Sequence, residues 1–370
     1  MEGELNIQNS ASGTFIPEIF GGDVAEFFGS DDDGDVTIDP DGGVVVKPSG
    51  GTPVVIGQAF AWFEAADIDL SNLSDINCTY SVTFLAGNEA NANLTRYWPG
   101  KGRYFRKLSG DIEKGSRYFL SPEIIEPSPA DYPQLKANLI NGRAAVAFSG
   151  NETYCAQRAP YDPGGSLGED PHAFSSSSRL TIFLLARHAP HTSSTGTFFT
   201  LSSAGVYNIS FGERARISLV YFGDLDAFGF SMNDQVGDVY GVGNASNWVN
   251  DWFLVTAIVS PNGDGVARRI RVNGVEQSVS QIRNGTGATA SAPFALTGAA
   301  VLILGAASTV QQSSLDAFFA ANPSSTEYSA QKSLHGDIGE CLVVHTTSEI
   351  SAPNLAAAET ILMRKYGLIS

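Results

Sequence analysis

Residues 336–367, GDIGECLVVHTTSEISAPNLAAAETILMRKYG, carry the signals of a strand followed by a single helix. Ile338 to Val344 is an apolar run of strand length. A short polar turn then leads into a helix that opens near Ser351 and Pro353 and stops at Gly367. Proline is favoured in a first helical turn and glycine just past the last, so both ends carry their own punctuation. Leu355, Ala358, Leu362 and Tyr366 recur at helical spacing and share one face. A lone amphipathic helix at the end of a chain otherwise rich in strand signals predicts a β-sandwich with that helix packed against it.

Upstream of the closing stretch the signals are those of strands and tight turns. RLTIFLLAR (179–187) and WFLVTAIV (252–259) are apolar on both faces and read as central strands covered on two sides. RRIRVNGVEQSV (268–279) alternates, with Ile270 and Val272 inward and Arg269 and Arg271 outward, then turns at Asn273-Gly274. A second Asn-Gly turn falls at Asn141-Gly142, between the apolar runs of LKANLINGRAAVAF. With AVLILG near residue 303 and the closing strand, about eight to ten strands are expected, the content of a jelly roll. Val44–Val46 and Val54–Ile56 read as short strands further upstream, and TYSVTFL (79–85) alternates as a half-buried strand does.

Composition narrows the function classes. The chain has 370 residues, 43% hydrophobic, with 39 Gly and 17 Pro, enough to bury a sizeable core and too turn-rich for long helices. Lys and Arg number 22 against 39 Asp and Glu, a net charge of −17. Such a chain is unsuited to general nucleic-acid binding, which needs cationic surfaces. Three cysteines, Cys78, Cys155 and Cys341, are an odd and sparse set that argues against a disulfide framework, and Cys341 reads as a small buried hydrophobe. Met1 is followed by Glu2 and Glu4 with no basic start and no apolar run, so no secretory leader is expected, and no stretch is long and apolar enough to insert in a membrane.

Two segments depart from the average. Residues 1–46 hold no Lys or Arg and 11 acids, with Phe15, Phe20, Phe27 and Phe28 between them, and read as an arm that orders against another surface. Residues 96–119, RYWPGKGRYFRKLSGDIEKGSRYF, carry seven basic residues, two acids and six aromatics in an otherwise acidic protein. The triplet RYF occurs there twice, a pattern that points to paired hairpin strands. A proline-rich connector ends at Pro133. The expected organisation is an acidic attachment arm at 1–50, a β-rich region with the basic aromatic segment at 51–133, and the sandwich domain at 134–370.

Several motifs in order resemble the laminin-G-like, concanavalin A-like jelly-roll family. LINGRAAVAFSGNETY is similar to its domain-opening pattern, SRLTIFLLAR to its next strand, and WFLVTAIVS with RRIRVNGVE to its paired central strands. LHGDIGECLVV and a helix ending in KYG are similar to its closing signature, and AWFEAADIDL (61–70) is similar to an opening seen upstream in some members. Ser149 stands where the family commonly has Asp, and Glu152-Thr153 replaces a frequent acidic pair, so a calcium role for those acids does not carry over. The resemblance implies a mainly β, two-sheet antiparallel jelly-roll sandwich with a C-terminal helix. It also implies the settings where such modules occur: adhesins, glycan-active proteins and phage virion proteins, especially tail-fibre and head-fibre components.

Gly164–Gly168 fits G-x-S-x-G, but it follows Asp162-Pro163 with no strand before and no helix after, so it reads as a glycine loop and not a nucleophile elbow. The ExDxE string that places carboxylates for glycoside cleavage does not occur. Asp224 with Asp226, placed on one strand face by parity, and Asp337 with Glu340 read as loop solvation or a hydrogen-bond staple. Asp31, Asp33 and Asp35, with Asp32, Asp39 and Asp41, are the residues that could chelate Ca²⁺, though their spacing fails the EF-hand pattern and turn solvation is the simpler reading. His188 and His191 lack a third ligand.

The basic aromatic segment is the sharpest candidate. Tyr97, Trp98, Arg103, Tyr104, Arg117 and Tyr118 either bind a glycan or partner or pack in a hairpin whose cations reach outward. The acidic arm of another copy would complement it. The resulting expectation is a virion protein that binds and does not catalyse. Its partners would be other virion proteins, further copies of itself and a host-surface glycan, with no nucleic acid and no membrane insertion. The alternatives are a secreted glycan-active enzyme or lectin of the same fold, and a purely architectural capsid or tail component.

Overall fold

A computed structural model describes residues 34–68, 97–99, 101, 107–110, 133–149, 155–156, 177–189, 195–203, 216–222, 226–232, 239–260, 262–263, 269–283, 294–295, 300–305 and 334–369. Two antiparallel sheets hold nearly all the strands. The larger runs, edge to edge, through Asp35–Ile38, Gly43–Lys47, Val54–Glu64, His335–Thr346, Arg179–His188, Phe253–Val259, Arg269–Val272 and Val275–Glu276. The hairpin Gln134–Ile140 and Arg143–Ser149 pairs with the start of the terminal strand. The second sheet runs through Ser280–Arg283, Val239–Gly243, Ala227–Met232, Arg216–Phe222, Thr195–Ser203, Ala300–Leu304, Cys155–Ala156, Lys107–Gly110 and Tyr97–Pro99.

The terminal strand sits at the centre of the larger sheet because its apolar run is continuous. His335–Thr346 is buried over most of its length and is flanked by Val54–Glu64 and Arg179–His188. The strand at 179–188 and the one at 253–259 are also buried on both faces, as their unbroken hydrophobic runs require. Both Asn-Gly turns form as expected. Asn141 and Gly142 have φ of 44° and 75°, and Asn273 and Gly274 have 49° and 76°, the left-handed pair that a two-residue hairpin demands. Ile270 and Val272 face the core and the two arginines between and before them are only part-buried.

Between the sheets lies one apolar core drawn from both. Phe198 and Phe228 come from the second sheet and Phe253 from the first, and their rings meet edge to face at 5.6 to 6.1 Å, a geometry that aromatic quadrupoles favour. Phe60 and Phe63 are fully buried in the same core, so strand residues upstream of Pro133 and those downstream share one interior. Cys341 is fully buried there as well, and burial pushes its thiol well above the usual range.

The outer face of the larger sheet carries a second apolar layer under the terminal helix, Ala352–Lys365. Ser351 precedes the helix, Pro353 lies in its first turn, and Gly367 takes φ 67° just beyond it. Leu355, Ala358, Leu362 and Tyr366 are all buried, as their spacing predicts. Leu355, Ala358 and Leu362 share a cluster with Val44, Val46, Trp62, Phe183, Leu254, Leu342 and Val344, and Tyr366 packs with Ile140 and Leu185. Each leucine removed from water contributes about 1.5–3 kcal/mol. No helix among the described residues is long and apolar enough to cross a membrane.

Candidate functional site

Two polar clusters stand out, one at the C-terminal end of the helix and one at an end of the sandwich. The first grows out of strand pairing. Glu64 and Glu340 are directly opposite each other on neighbouring strands, and the register shift between Ile338 and Glu340 turns Glu340 onto the outer face. Like charges side by side in a sheet repel unless cations separate them. Lys365, in the last helical turn, places Nζ 2.9 Å from Glu64 Oε1 and 2.8 Å from Glu340 Oε2.

Every oxygen of the pair is occupied. Glu340, 2% exposed, also accepts from Trp62 Nε1 at 2.6 Å and from the Tyr366 hydroxyl at 2.7 Å. Lys101 reaches Glu64 at 3.1 Å and Asp67 at 2.9 Å. Arg143 donates from Nε to the Lys365 carbonyl at 2.7 Å, closing the helix end. Burial works to raise the Glu64 pKa, but the charges of Lys365 and Lys101 outweigh it and the group stays below the ordinary glutamate range. Burial also works against charge on Lys365, yet Glu340 and Glu64 hold its pKa above the ordinary lysine value. Carboxylates buried in this way and each held by one or more cations are committed to structural pairing, so the chemistry of this cluster is that of a staple. Further along the same strand, Arg187 donates through Nε and Nη2 to Asp337 Oδ2 at 2.8 and 2.6 Å.

The second cluster is the turn between the strands Val239–Gly243 and Phe253–Val259, which carries the chain from one sheet to the other. Its sequence is NASNWVNDW, residues 244–252. Asn244 and Asn250 take φ of 59° and 63° and flank a single 3₁₀ turn, Ala245–Trp248. Asparagine tolerates that left-handed backbone better than other non-glycine residues. Asp226, from before the strand at 227–232, clamps the turn: its Oδ1 accepts from Ser246 N at 2.6 Å and its Oδ2 from the Ser246 hydroxyl at 2.9 Å. Ala245 N donates to the Asp226 carbonyl at 3.1 Å, and Asn250 N to the His188 carbonyl at 2.8 Å. The backbone is thus tied to both sheets.

The side chains of this turn are left outward. Asn244, Asn247, Asn250 and Asp251 are exposed, and Trp248 and Trp252 are half-buried at its far side. Trp248 leans on Phe253 with centroids 6.4 Å apart, and the Arg187 guanidinium lies 5.2 Å over the Trp252 ring. The indole Nε1 of Trp252 has no hydrogen-bond partner among the described residues. Beneath the turn, His188 stacks on Tyr221 at 4.2 Å, and burial followed by the charge of Asp226 raises the Tyr221 phenol. A rigid backbone presenting amides and a carboxylate beside two half-buried indoles is chemistry suited to hydrogen-bonding a polar ring.

The residues singled out in the sequence distribute as follows. Tyr97 and Trp98 lie on a short strand at the edge of the second sheet, paired with Lys107–Gly110. Arg103, Tyr104, Arg117 and Tyr118 fall outside the described residues, as do both RYF triplets, TYSVTFL, the G-x-S-x-G loop, Asp31 and Asp33. Lys101, from the same basic segment, pairs with Glu64 and Asp67, acids outside the 1–46 arm. Asp35 opens the first strand, opposite Lys47. Asp39 accepts from the backbone N of Asp41 and Gly43 at 2.9 and 2.7 Å, which is turn solvation. No group of three potential metal ligands occurs among the described residues. Asp226 sits in a left-handed turn and not on a strand, which corrects the parity assignment made with Asp224. The 244–252 turn went unnoticed in the sequence; its signal is three asparagines and two tryptophans within nine residues.

No family model matches this chain, and no curated protein matches it. Among solved structures it is similar to the NanB sialidase of Streptococcus pneumoniae, at 18% identity and TM-score 0.31 over 50% of this chain and 24% of that one. It is also similar to a structure of botulinum neurotoxin type C, at 10% identity and TM-score 0.36 over 74% of this chain and 52% of that one. A third is the CBM40 of the Ruminococcus gnavus IT-sialidase, at 10% identity and TM-score 0.31 over 58% of this chain and 96% of that one. The chain spans about a quarter of the length of the sialidase. At these identities the likeness concerns the β architecture and none of the chemistry.

Proposed function

We propose that this protein is a glycan-binding display module of a phage virion, and that it binds through the 244–252 rim. The observation that carries the binding role is the contrast inside that turn: its backbone is clamped by Asp226 and His188 while its asparagine side chains are exposed. Preorganisation of this kind lowers the ordering cost of binding a flexible polar ligand. In this proposal the protein makes and breaks no bond. The saturated Glu64–Glu340 pair supports that part, since glycoside cleavage needs one carboxyl free to donate a proton and another free to attack or activate water. The virion setting rests on the family resemblance, taken with the acidic, phenylalanine-bearing segment at 1–46 and the lack of a catalytic motif in the sequence. It carries with it docking to other virion proteins and assembly with further copies of the chain.

The test has two arms. Host-surface polysaccharide is passed over immobilised protein by interferometry, with the double variant Asn247→Ala/Asn250→Ala and the distant control Arg269→Ala. Loss of about two amide hydrogen bonds lowers affinity at least about tenfold in the double variant, and the control matches the parent. Equal binding by all three proteins removes the rim from the account, and steady release of reducing ends from the polysaccharide removes the non-catalytic reading. Gold-labelled antibody on purified particles checks the virion setting; absence of label on intact particles contradicts it.

A further inference from the structure

We infer that the rim takes an uncharged glycan and discriminates against sialylated or uronic-acid chains. This rests on the binding role proposed for the same turn and specifies its ligand class. A sugar carboxylate is recognised by a free guanidinium or ammonium, or by unpaired backbone N–H groups. At this rim the near guanidinium, Arg187, is committed: two of its nitrogens donate to Asp337 Oδ2, and its plane covers Trp252. The backbone donors are committed too, since those of Ala245 and Ser246 go to Asp226, that of Asn247 to Asn244 O, and that of Asn250 to His188 O.

What remains outward is neutral or negative. Asn244, Asn247 and Asn250 offer amides, each able to donate and accept, which suits vicinal hydroxyls. Asp251 is exposed beside them and Asp226 lies behind the turn, so an arriving carboxylate meets like charge, while the near cation, Arg187, is already paired with Asp337. Selectivity therefore comes from a repulsive element as well as from contacts, the device by which a site tells apart ligands of equal size.

A glycan array carrying neutral oligosaccharides and their sialylated or uronic-acid counterparts on the same core separates the outcomes. The parent protein should bind neutral members and bind the acidic counterparts at least about tenfold more weakly, a difference of about 1.4 kcal/mol. Asp251→Lys, an exposed substitution, should narrow or invert that ratio without loss of the fold, checked by circular dichroism. Tighter binding to the acidic members that still depends on Asn247 and Asn250 overturns this inference and leaves the rim's binding role standing. An array with no member bound, or binding indifferent to Asn247→Ala/Asn250→Ala, overturns the binding role itself.

Discussion

The helix end and the rim are built from similar residues and are used in opposite ways. At the helix end, Glu340 takes three donors, Lys365 bridges two carboxylates, and Arg143 closes the last carbonyl. At the rim, the carboxylate of Asp226 and the backbone carbonyl of His188 hold the chain, and the side chains of Asn244, Asn247, Asn250 and Asp251 are exposed. The difference teaches where to look for recognition in a sandwich. Polar groups that satisfy one another hold the fold, because an unpaired buried charge is costly. Polar groups held rigidly and left facing water are available to a ligand.

Substitutions at the two places should therefore separate stability from binding. The largest effect is expected for Glu340→Ala, which leaves Lys365 and Tyr366 short of a buried acceptor. Breaking such a pair costs about 3–5 kcal/mol, read as a lower midpoint in urea unfolding, while the folded fraction still binds glycan. If that variant kept its stability and lost binding, the two regions would have to exchange roles. Tyr366→Phe removes one hydrogen bond to a charged acceptor and should cost about 1.5–3 kcal/mol.

Acid should act on the helix end in the same direction. The Glu64 pKa is depressed by Lys365 and Lys101 in spite of burial, so its contribution is present above the ordinary glutamate value near about 4.3 and is lost as pH falls through its lower folded value. Glu276, depressed by hydrogen bonds from Arg269, has the same sign. Asp67 opposes them: burial raises its pKa, which subtracts stability once pH exceeds the ordinary aspartate value near about 3.9. Unfolding free energy followed downward from neutral pH should be flat and then fall below about pH 4.3, less steeply in Glu64→Gln; an identical fall in that variant would remove Glu64 from the explanation.

Asp226→Ala is the intermediate case. Loss of a cap-like contact costs about 0.5–2 kcal/mol of stability, but loosening the turn should weaken glycan binding by a larger factor than it weakens the fold. The smallest effect belongs to Arg269→Ala. Its pair with Glu276 is about two-fifths exposed on both sides, and such pairs contribute about 0.2–1 kcal/mol, within reach of careful calorimetry and without effect on binding.

Much of the architecture was legible in the chain because its signals are local. Pro353 and Gly367 fix the helix ends, the two Asn-Gly pairs fix hairpins, and unbroken apolar runs at 180–186 and 253–259 mark strands covered on both faces. The two polar clusters depend on contacts remote in sequence. Glu64 meets Glu340 across 276 positions, and Asp226 meets Ser246 across two strands. A one-residue register shift beside Gly339 puts Asp337 and Glu340 on one face although their spacing of three would alternate them. A hydrogen-bond staple is one of the two readings the sequence allows for these acids, the other being loop solvation, and no local pattern joins Glu340 to its partners Lys365, Tyr366 and Trp62.

The most direct test of the central claim is amide hydrogen exchange of the full chain with and without a bound neutral oligosaccharide. The account predicts added protection confined to residues 239–260 and their neighbours at 186–189, with the helix at 352–365 and the strand at 338–346 unchanged. Protection centred on the helix end, with the 244–252 turn exchanging as in the free protein, would contradict it.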